Sequence, residues 1–399
     1  ETEWHLGHAQ ESLPNRRGFH RSLVLLDGGG GHFDDTPIFE HYGKANWLED
    51  DQPIGLPEQF YSSDFMTDRL ISYIDETPLE QPYFAYLGYT APHWPLQAPP
   101  QAIAAYESSY HEGWDALRAR RMQGAIAAGV VPEDAVAVDF EAGMTAWTEL
   151  SAEQKRIETR KMQVYAAMVS RLDDNVGRLL SALEERGDLE NTVILFIADN
   201  GAEAHTMELY QANVGWVAEN FDNSLTSIGS RNSYVSLGPS WARATAAPFR
   251  ASKSKISEGG IRVPAFLSMP GSRKGIDGSY MRVMDLAPTF IDLAGGNVPA
   301  EMMGRSLLPR VLEGTIIYPS DEVIAAEAYG RRMAQQGDWK VLLQAPPYGT
   351  GDWQLYNLAE DLGEQNDLSD EFPERRASLI AAWQQYADEV GVINPEVPI

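Results

Sequence analysis

The segment VILFIADNG, residues 193–201, decides the fold class of this chain. Six apolar residues in a row predict a strand that is buried on both faces, as strands of a parallel sheet are. Ligands of open α/β sheets bind beyond the carboxyl ends of such strands, where Asp199 and Asn200 stand. Their carboxylate and amide oxygens suit Ca²⁺ or Mg²⁺. An ordinary Asn-Gly turn after a strand is the alternative interpretation.

The rest of the chain predicts an α/β protein of two parts. Its 399 residues suffice for one large α/β domain, predicted over 1–314, and a smaller α+β subdomain over 315–399. Helical periodicity predicts helices over 60–76 and 151–186. The apolar segment 82–90 predicts a second buried strand.

The part after residue 315 has a different pattern. Three short strand-like runs, separated by turn signals, are EVIAAEAYG, WKVLLQ and WQLYNL. A final helix is predicted from Pro373 to Val390. We therefore expect a small antiparallel sheet with a helix packed against it.

Composition narrows the classes of function. The formal charge of −27, from 58 acidic and 31 basic residues, argues against a nucleic-acid partner. An anionic substrate would then need a locally basic pocket. The chain has no cysteine, which excludes disulfides, thiolate metal sites and a cysteine nucleophile.

Targeting signals are absent from the printed sequence. No apolar run is long enough to span a bilayer, and no leader follows Glu1, so we expect a soluble protein of the cytoplasm or periplasm, without a membrane partner. The glycine run at 28–31 lacks the Lys-Ser/Thr ending of a phosphate-binding loop, so a turn is the better interpretation.

Three more segments place polar groups among glycines and prolines. They carry His5 in WHLG, His93 in TAPHWPLQAP and Lys253 in FRASKSKISEGGIRVP. Taken singly, a histidine near a strand end usually packs in the core, and a lysine is usually solvated. Together with Asp199 and Asn200, they form a set of two histidines, one lysine and a metal-type pair.

This set, in this order, resembles the sulfatase family, of the bacterial arylsulfatase type in the alkaline-phosphatase-like superfamily. Nearly the whole chain carries the resemblance, in the motifs WHLG, RGF, HFDD, TAPHWPLQAP, IADNG, EGGIRVP and DLAPTFIDLAG. It implies an α/β fold with a large, mostly parallel sheet flanked by helices, and a small C-terminal antiparallel sheet plus helix. It also implies a hydrolase of small sulfate esters.

The resemblance further implies roles for single residues. Asp199 and Asn200 would be Ca²⁺ ligands, beside a formylglycine nucleophile that the family makes from cysteine or serine. His5 would accept a proton when sulfate is released from that group. His93 would contact the sulfate or the leaving oxygen, and Lys253 would bind the sulfate oxygens.

Two features depart from the family pattern. In the family, a Cys/Ser-x-Pro-x-Arg signature and a paired aspartate precede WHLG, and neither precedes it in the printed sequence. The segment Ser12–Arg16 fits the signature by letter, but it follows WHLG and is interpreted as loop. Glu3 stands where the family has a lysine. We expect this chain alone to be inactive, with half a Ca²⁺ site, until an N-terminal segment or a second chain completes it.

Two alternatives to sulfate-ester hydrolysis stay open at this point. One is a non-catalytic sulfatase-like binding protein, and the other is a phosphonate or phosphate monoester hydrolase on the same scaffold. The walls of the pocket are expected from residues 100–148 and 205–247. Trp114, Trp147 and Trp216 could face a substrate ring there, or could simply pack in the core.

Overall fold

The computed structural model describes residues 4, 6–138, 144–207 and 210–393. The chain forms two compact units. Unit 1 comprises Glu1–Leu117, Thr145–Glu190 and Glu203–Ala242, and unit 2 comprises Arg118–Met144, Asn191–Ala202 and Arg243–Ile399.

The strands and helices are numbered in chain order. The strands are β1 Leu23–Leu25, β2 Trp47–Glu49, β3 Gln52–Pro53, β4 Ile194–Ile197, β5 Ala265–Ser268, β6 Val323–Ala328, β7 Arg331–Gln336, β8 Trp339–Leu343 and β9 Trp353–Asn357. The helices are α1 Ser62–Glu76, α2 Pro100–Ala104, α3 Gly113–Ala127, α4 Ala152–Arg186, α5 Gln211–Asn220, α6 Pro239–Thr245, α7 Glu258–Ile261, α8 Leu286–Leu293, α9 Leu308–Glu313 and α10 Pro373–Val390. None of the helices within the described ranges is both long and apolar enough to cross a membrane.

Unit 1 is built on α4, the longest of these helices. Ser151 and Gln154 close a capping box at its start, and Gly187 ends it in the left-handed region at φ 83°. The helix predicted over 151–186 is therefore confirmed. Asp64 of α1 accepts hydrogen bonds from Arg171 of α4 at 2.8 and 2.7 Å, which joins the two helices.

A three-stranded antiparallel sheet, in the order β1–β2–β3, lies in the same unit. Its apolar side chains pack with the residues around the start of α1. The resulting core contains Leu23, Leu25, Trp47, Phe60 and Met66, all nearly inaccessible to solvent. The helix predicted over 60–76 is confirmed as α1.

Unit 2 contains the predicted C-terminal sheet and helix. Strands β6 to β9 form an antiparallel sheet, and α10 packs on it through Leu379 and Trp383, which confirms the small sheet and its helix. The structure adds β7, RRMAQQ, which sequence analysis did not identify. Only Met333 and Ala334 of that strand are buried, so it has too short an apolar pattern to stand out.

The strand predicted at the IADNG motif is confirmed as β4, but the prediction of burial on both faces is wrong. β4 pairs antiparallel with β5, with Phe196 opposite Phe266. All four β4 residues are half-buried, and all four β5 residues are exposed. Burial on both faces requires layers packed on both sides of the strand, and the described residues cover the β4 side chains only in part. Parallel pairing in the described ranges is limited to one isolated bridge, between Gln97 and Gly229.

The strand predicted over 82–90 is also wrong. The segment belongs to none of the sheets in the described part of the chain. Phe84 is 58% exposed and Tyr86 is 46% exposed. An apolar pattern indicates a preference for burial, but a strand forms only when a neighbouring segment pairs with it.

Candidate functional site

Asp199 and Asn200 occupy the turn that follows β4 in unit 2. The Nδ2 atom of Asn200 donates a hydrogen bond to the carbonyl oxygen of Gly201 at 3.0 Å, which leaves Oδ1 as an acceptor. Asp199 is exposed. Both residues therefore offer oxygen atoms at the end of a strand, as the sequence predicts.

Lys253 lies in the loop between α6 and α7, also in unit 2. Its backbone N–H donates to the carbonyl oxygen of Ala202 at 3.0 Å, and the N–H of Gly201 donates to the carbonyl oxygen of Gly260 at 3.0 Å. These two bonds hold the 253–260 loop against the turn after β4. Lys253 and the Asp199–Asn200 pair are thus brought to the same part of unit 2.

The contact between that turn and that loop depends on glycines. A Cβ atom on Gly201 would lie 1.8 Å from the carbonyl oxygen of Gly259. A Cβ on Gly259 would lie 2.2 Å from the oxygen of Arg250, and one on Gly260 would lie 2.1 Å from the oxygen of Lys255. Each clash is with backbone, which cannot move aside as a flexible side chain can. Gly201 is therefore required where the turn meets the loop, and Gly259 and Gly260 are required where the loop folds back on its own backbone.

A buried ionic cluster lies at the same loop, and sequence analysis missed it. The Nζ atom of Lys340 is 2.8 Å from Glu258 and 2.8 Å from Glu364, and all three side chains are buried. Burial alone would lower the pKa of Lys340, but its two carboxylate partners raise it above the usual value. Burial would raise the pKa of Glu258, but Lys340 and then Arg262 lower it. Lys340 and Glu258 are therefore charged at neutral pH.

His93 lies in unit 1, on the proline-rich segment identified in the sequence. Its Nδ1 is 2.9 Å from the carbonyl oxygen of Trp94, and its Nε2 is 3.9 Å from a carboxylate oxygen of Glu203. Because a carbonyl oxygen can only accept, Nδ1 carries the proton of that bond. Nε2 is then the nitrogen that can exchange a proton, and the Glu203 carboxylate lies beside it. Sequence analysis did not identify Glu203, which lies four residues after Asp199.

His32, in the HFDD motif, contacts the backbone carbonyl of His93. Its Nε2 is 3.1 Å from the carbonyl oxygen of His93, and its Nδ1 is 2.7 Å from the Ser62 hydroxyl. Burial lowers the pKa of His32 to about 4. The ring is therefore neutral at pH 7, so Nε2–H donates to His93 and Nδ1 accepts from Ser62.

An open cleft of about 390 Å³ lies in unit 1. Its lining includes Asp34, Thr36, Trp216, Asn220, Arg231 and Asn232. The Trp216 ring packs at 5.4 Å from Tyr234, which packs at 6.0 Å from Trp94, the neighbour of His93.

Of the three tryptophans considered as substrate contacts, only Trp216 lines this cleft. Trp114 and Trp147 are 3% and 8% exposed, with ring centroids 4.8 Å apart. Their interpretation as core residues is therefore the correct one.

Two sequence predictions fall on residues outside the described ranges, namely the role of His5 and the replacement at Glu3. The segment Ser12–Arg16 is described, and it lies in two short 3₁₀ turns, Gln10–Ser12 and Pro14–Arg16. The indole N–H of Trp4 donates to the carbonyl oxygen of Ser12 at 2.6 Å. This geometry agrees with the interpretation of the segment as loop.

The candidate metal site offers few ligands for Ca²⁺. Ca²⁺ takes about 6–8 oxygen ligands, whereas Asp199 and Asn200 supply one side chain each. Over residues 4, 6–138, 144–207 and 210–393, no group of three or more His, Asp or Glu side chains could hold a metal ion. The described residues therefore do not fit a Ca²⁺ site by themselves.

Comparison with known proteins agrees with the resemblance. The profile of the Sulfatase family matches residues 2–296. An uncharacterised sulfatase of Schizosaccharomyces pombe is 36% identical over 412 residues, which cover 98% of this chain and 74% of that protein. An arylsulfatase of Klebsiella aerogenes is 35% identical over 318 residues, covering 77% of this chain and 67% of the relative.

Solved structures share the fold. The crystal structure of Ps i-CgsB matches with a TM-score of 0.64 and 21% identity, covering 97% of this chain and 70% of that one. A structure in complex with its substrate, D-glucosamine-2-N,6-O-disulfate, matches with a TM-score of 0.59 and 17% identity, covering 97% and 79%.

Proposed function

This chain belongs to the sulfatase family, whose members hydrolyse sulfuric esters, and on that premise we propose that Lys253 and His93 act on the sulfate group and the leaving oxygen of a small sulfate ester. One observation carries the proposal. The 253–260 loop is hydrogen-bonded to the turn after β4, so a cation and two oxygen ligands share one part of unit 2.

Lys253 supplies local positive charge in an acidic protein. A sulfate ester carries one negative charge, and the net charge of −27 repels it at long range. An ammonium group fixed near the site reverses that repulsion locally and stabilises charge that develops on the sulfate oxygens.

His93 supplies a proton to the departing alcohol. Its Nδ1–H is held by the carbonyl oxygen of Trp94, so Nε2 is presented in one orientation. Glu203, 3.9 Å from Nε2, places a carboxylate beside the nitrogen from which the proton would be donated. A positioned acid of this kind lowers the barrier to bond cleavage.

The family generally uses Ca²⁺ and a formylglycine. We propose Asp199 and Asn200 as contributors of two oxygen ligands to such an ion, with the remaining ligands from outside the described residues or from water. His5 is proposed as a proton acceptor during release of sulfate. The formylglycine is not assigned to any residue of this chain.

The cleft beside Trp216 is proposed to receive the alcohol part of the ester. The indole ring offers an apolar face, and Asn220, Arg231 and Asn232 offer polar atoms at the rim. The Klebsiella aerogenes relative is named an arylsulfatase, and one neighbouring structure holds a sulfated glucosamine. A ring, aryl or sugar, is the leaving group that this cleft favours.

We also propose that β4 belongs to a large, mostly parallel sheet. Support comes from the half-buried side chains of β4 and the exposed side chains of Phe84 and Tyr86 in an apolar segment. Pairing with a further segment or a second chain would cover such surfaces.

The proposal is tested by hydrolysis of 4-nitrophenyl sulfate with the protein as its native gene encodes it. Lys253→Ala and His93→Ala are each expected to lower kcat/KM by about 100-fold, the usual effect of removing one such group. Lys274→Ala, at an exposed lysine of the same unit, is the matched control and should keep the full rate. Normal rates in both site variants would contradict the assigned roles.

A further inference from the structure

The four-stranded sheet of unit 2 has two covered faces. Val341 and Leu355 point to α10, whereas Leu342 and Tyr356 pack with Ile256, which lies in the 253–260 loop. The loop that carries Lys253 therefore rests on the face of the sheet opposite to α10.

Two polar side chains, Lys340 of β8 and Gln344 directly after it, also form hydrogen bonds with that loop. The Nζ atom of Lys340 donates to the carbonyl oxygen of Ile256 at 3.0 Å and to Glu258 at 2.8 Å. Gln344, directly after β8, accepts from the N–H of Ile256 at 3.2 Å and donates to the hydroxyl of Ser257 at 2.7 Å.

A third contact comes from the segment after β9. Glu364 accepts a hydrogen bond from the backbone N–H of Glu258 at 3.1 Å and pairs with Lys340. Charge-assisted bonds of this kind, made in a buried setting, are stronger and more directional than neutral bonds in water. Three successive residues of the loop, Ile256, Ser257 and Glu258, are thus bound by side chains from β8, from the residue after it and from the segment after β9.

We infer that Lys340 and Gln344 are positioning residues for Lys253: they clamp the 253–260 loop on the C-terminal sheet and so set the place of its ammonium group beside the turn after β4. The inference rests on the proposed role of Lys253 in binding sulfate. It gives the C-terminal subdomain a part in substrate binding, although neither Lys340 nor Gln344 is placed in contact with the substrate.

The opposing interpretation is that this cluster only stabilises unit 2. The two interpretations differ in one respect. A purely stabilising contact changes the melting temperature and leaves the anion affinity of the folded protein unchanged, whereas a positioning contact changes that affinity.

The test measures binding of inorganic sulfate by isothermal titration calorimetry. Gln344→Ala removes two loop contacts without leaving a buried charge, and it is expected to weaken sulfate binding about tenfold, as loss of an outer supporting contact does at other sites. Gln354→Ala is the matched control, since this buried glutamine lies on β9 of the same sheet. It should leave the sulfate affinity unchanged.

Amide hydrogen exchange gives a second readout. Residues 253–260 are expected to exchange faster in Gln344→Ala than in Gln354→Ala. If Gln344→Ala melts well below the control, the double variant Lys340→Met/Glu364→Gln makes the same comparison, because it removes one charge of each sign. Glu258 then keeps Arg262 as a partner at 3.5 Å.

Lys253→Ala separates the two proposals. If it abolishes sulfate binding while the Gln344 and Lys340 variants bind normally, the positioning role is overturned and the role of Lys253 stands. If Lys253→Ala itself binds sulfate normally, the proposed function of Lys253 fails, and the positioning role fails with it.

Discussion

His32 connects two parts of unit 1 by hydrogen bonds to the Ser62 hydroxyl and the His93 carbonyl. Only a neutral ring can donate from one nitrogen and accept at the other. A proton added to His32 would therefore break the bond to Ser62 or force its hydroxyl to turn. The bond from the Ser62 hydroxyl to Nδ1 depends on this neutral state, whereas Nε2–H can donate to the His93 carbonyl oxygen in either state.

The pH dependence of stability follows from the pKa of His32. Burial lowers it from 6.5 to about 4, so the unfolded state binds the proton first as the pH falls. The contribution of neutral His32 to the free energy of unfolding is complete above pH 6.5 and is lost as the pH falls through 4. In total it is of order 3 kcal/mol. We expect the melting temperature of the wild type to fall more steeply over this range than that of His32→Gln.

Differential scanning fluorimetry across the same pH range checks this, with His111→Gln, at an exposed histidine, as the control. Equal slopes for the wild type and His32→Gln would show that His32 does not titrate in this way.

Glu203 is the second single residue that bears on His93. It lies 3.9 Å from Nε2 of His93 and also binds the backbone N–H of His205 at 2.7 Å. We expect Glu203→Gln to lower kcat for aryl sulfate hydrolysis by about tenfold, since it keeps the shape of the side chain and removes the carboxylate charge beside Nε2 of His93. Steady-state kinetics should place the loss in kcat rather than in KM. An unchanged kcat would remove Glu203 from the mechanism.

At the scale of elements, the turn after β4 and the 253–260 loop are in direct backbone contact, because Gly201 has no Cβ atom to separate them. The Cβ of an alanine at 201 would meet a carbonyl oxygen at 1.8 Å. Gly177, in α4, has open space around it, so the same substitution there meets nothing within 4 Å. The two sites form a matched pair.

Gly201→Ala is expected to lower the melting temperature and to weaken sulfate binding, because the loop that carries Lys253 must move away from the turn. Gly177→Ala should instead stabilise the protein by about 0.5–1 kcal/mol, since alanine is the better residue in a helix interior. Thermal melts and sulfate titration of both variants check this. A stable Gly201→Ala protein with normal sulfate affinity would contradict the proposed contact.

At the scale of the whole molecule, net charge and an exposed apolar strand have opposite effects on self-association. The net charge of −27 favours solubility through repulsion between copies. The β4–β5 pair presents an exposed apolar strand, in which Phe266 is 62% exposed and Leu267 is 36% exposed. Such an edge is a site for pairing with another chain.

We predict that Phe266→Thr reduces self-association, because threonine keeps the strand preference and removes the exposed ring. Ile316→Thr is the control, since Ile316 is 69% exposed but lies outside the strands. Sedimentation velocity at raised ionic strength, where charge repulsion is screened, checks the result. Equal self-association of the wild type and both variants would exclude the β5 edge as the contact.

Local signals in the sequence determined much of the fold and the family. The capping box of α4, the span of α10 and the strand at IADNG each depend on residues close in the chain, so they could be predicted. The boundary between 314 and 315 stays a prediction, and so do the roles of the five site residues.

The tertiary structure decided what depends on distant partners. The partial burial of β4, the lack of a strand over 82–90 and the contact of Lys340 with Glu258 each depend on which segments lie nearby, far along the chain. The motif WKVLL predicts a strand, but nothing local says that its lysine is buried between two glutamates. Periodicity reports what one segment prefers, whereas burial and charge pairing are set by the segments that fold against it.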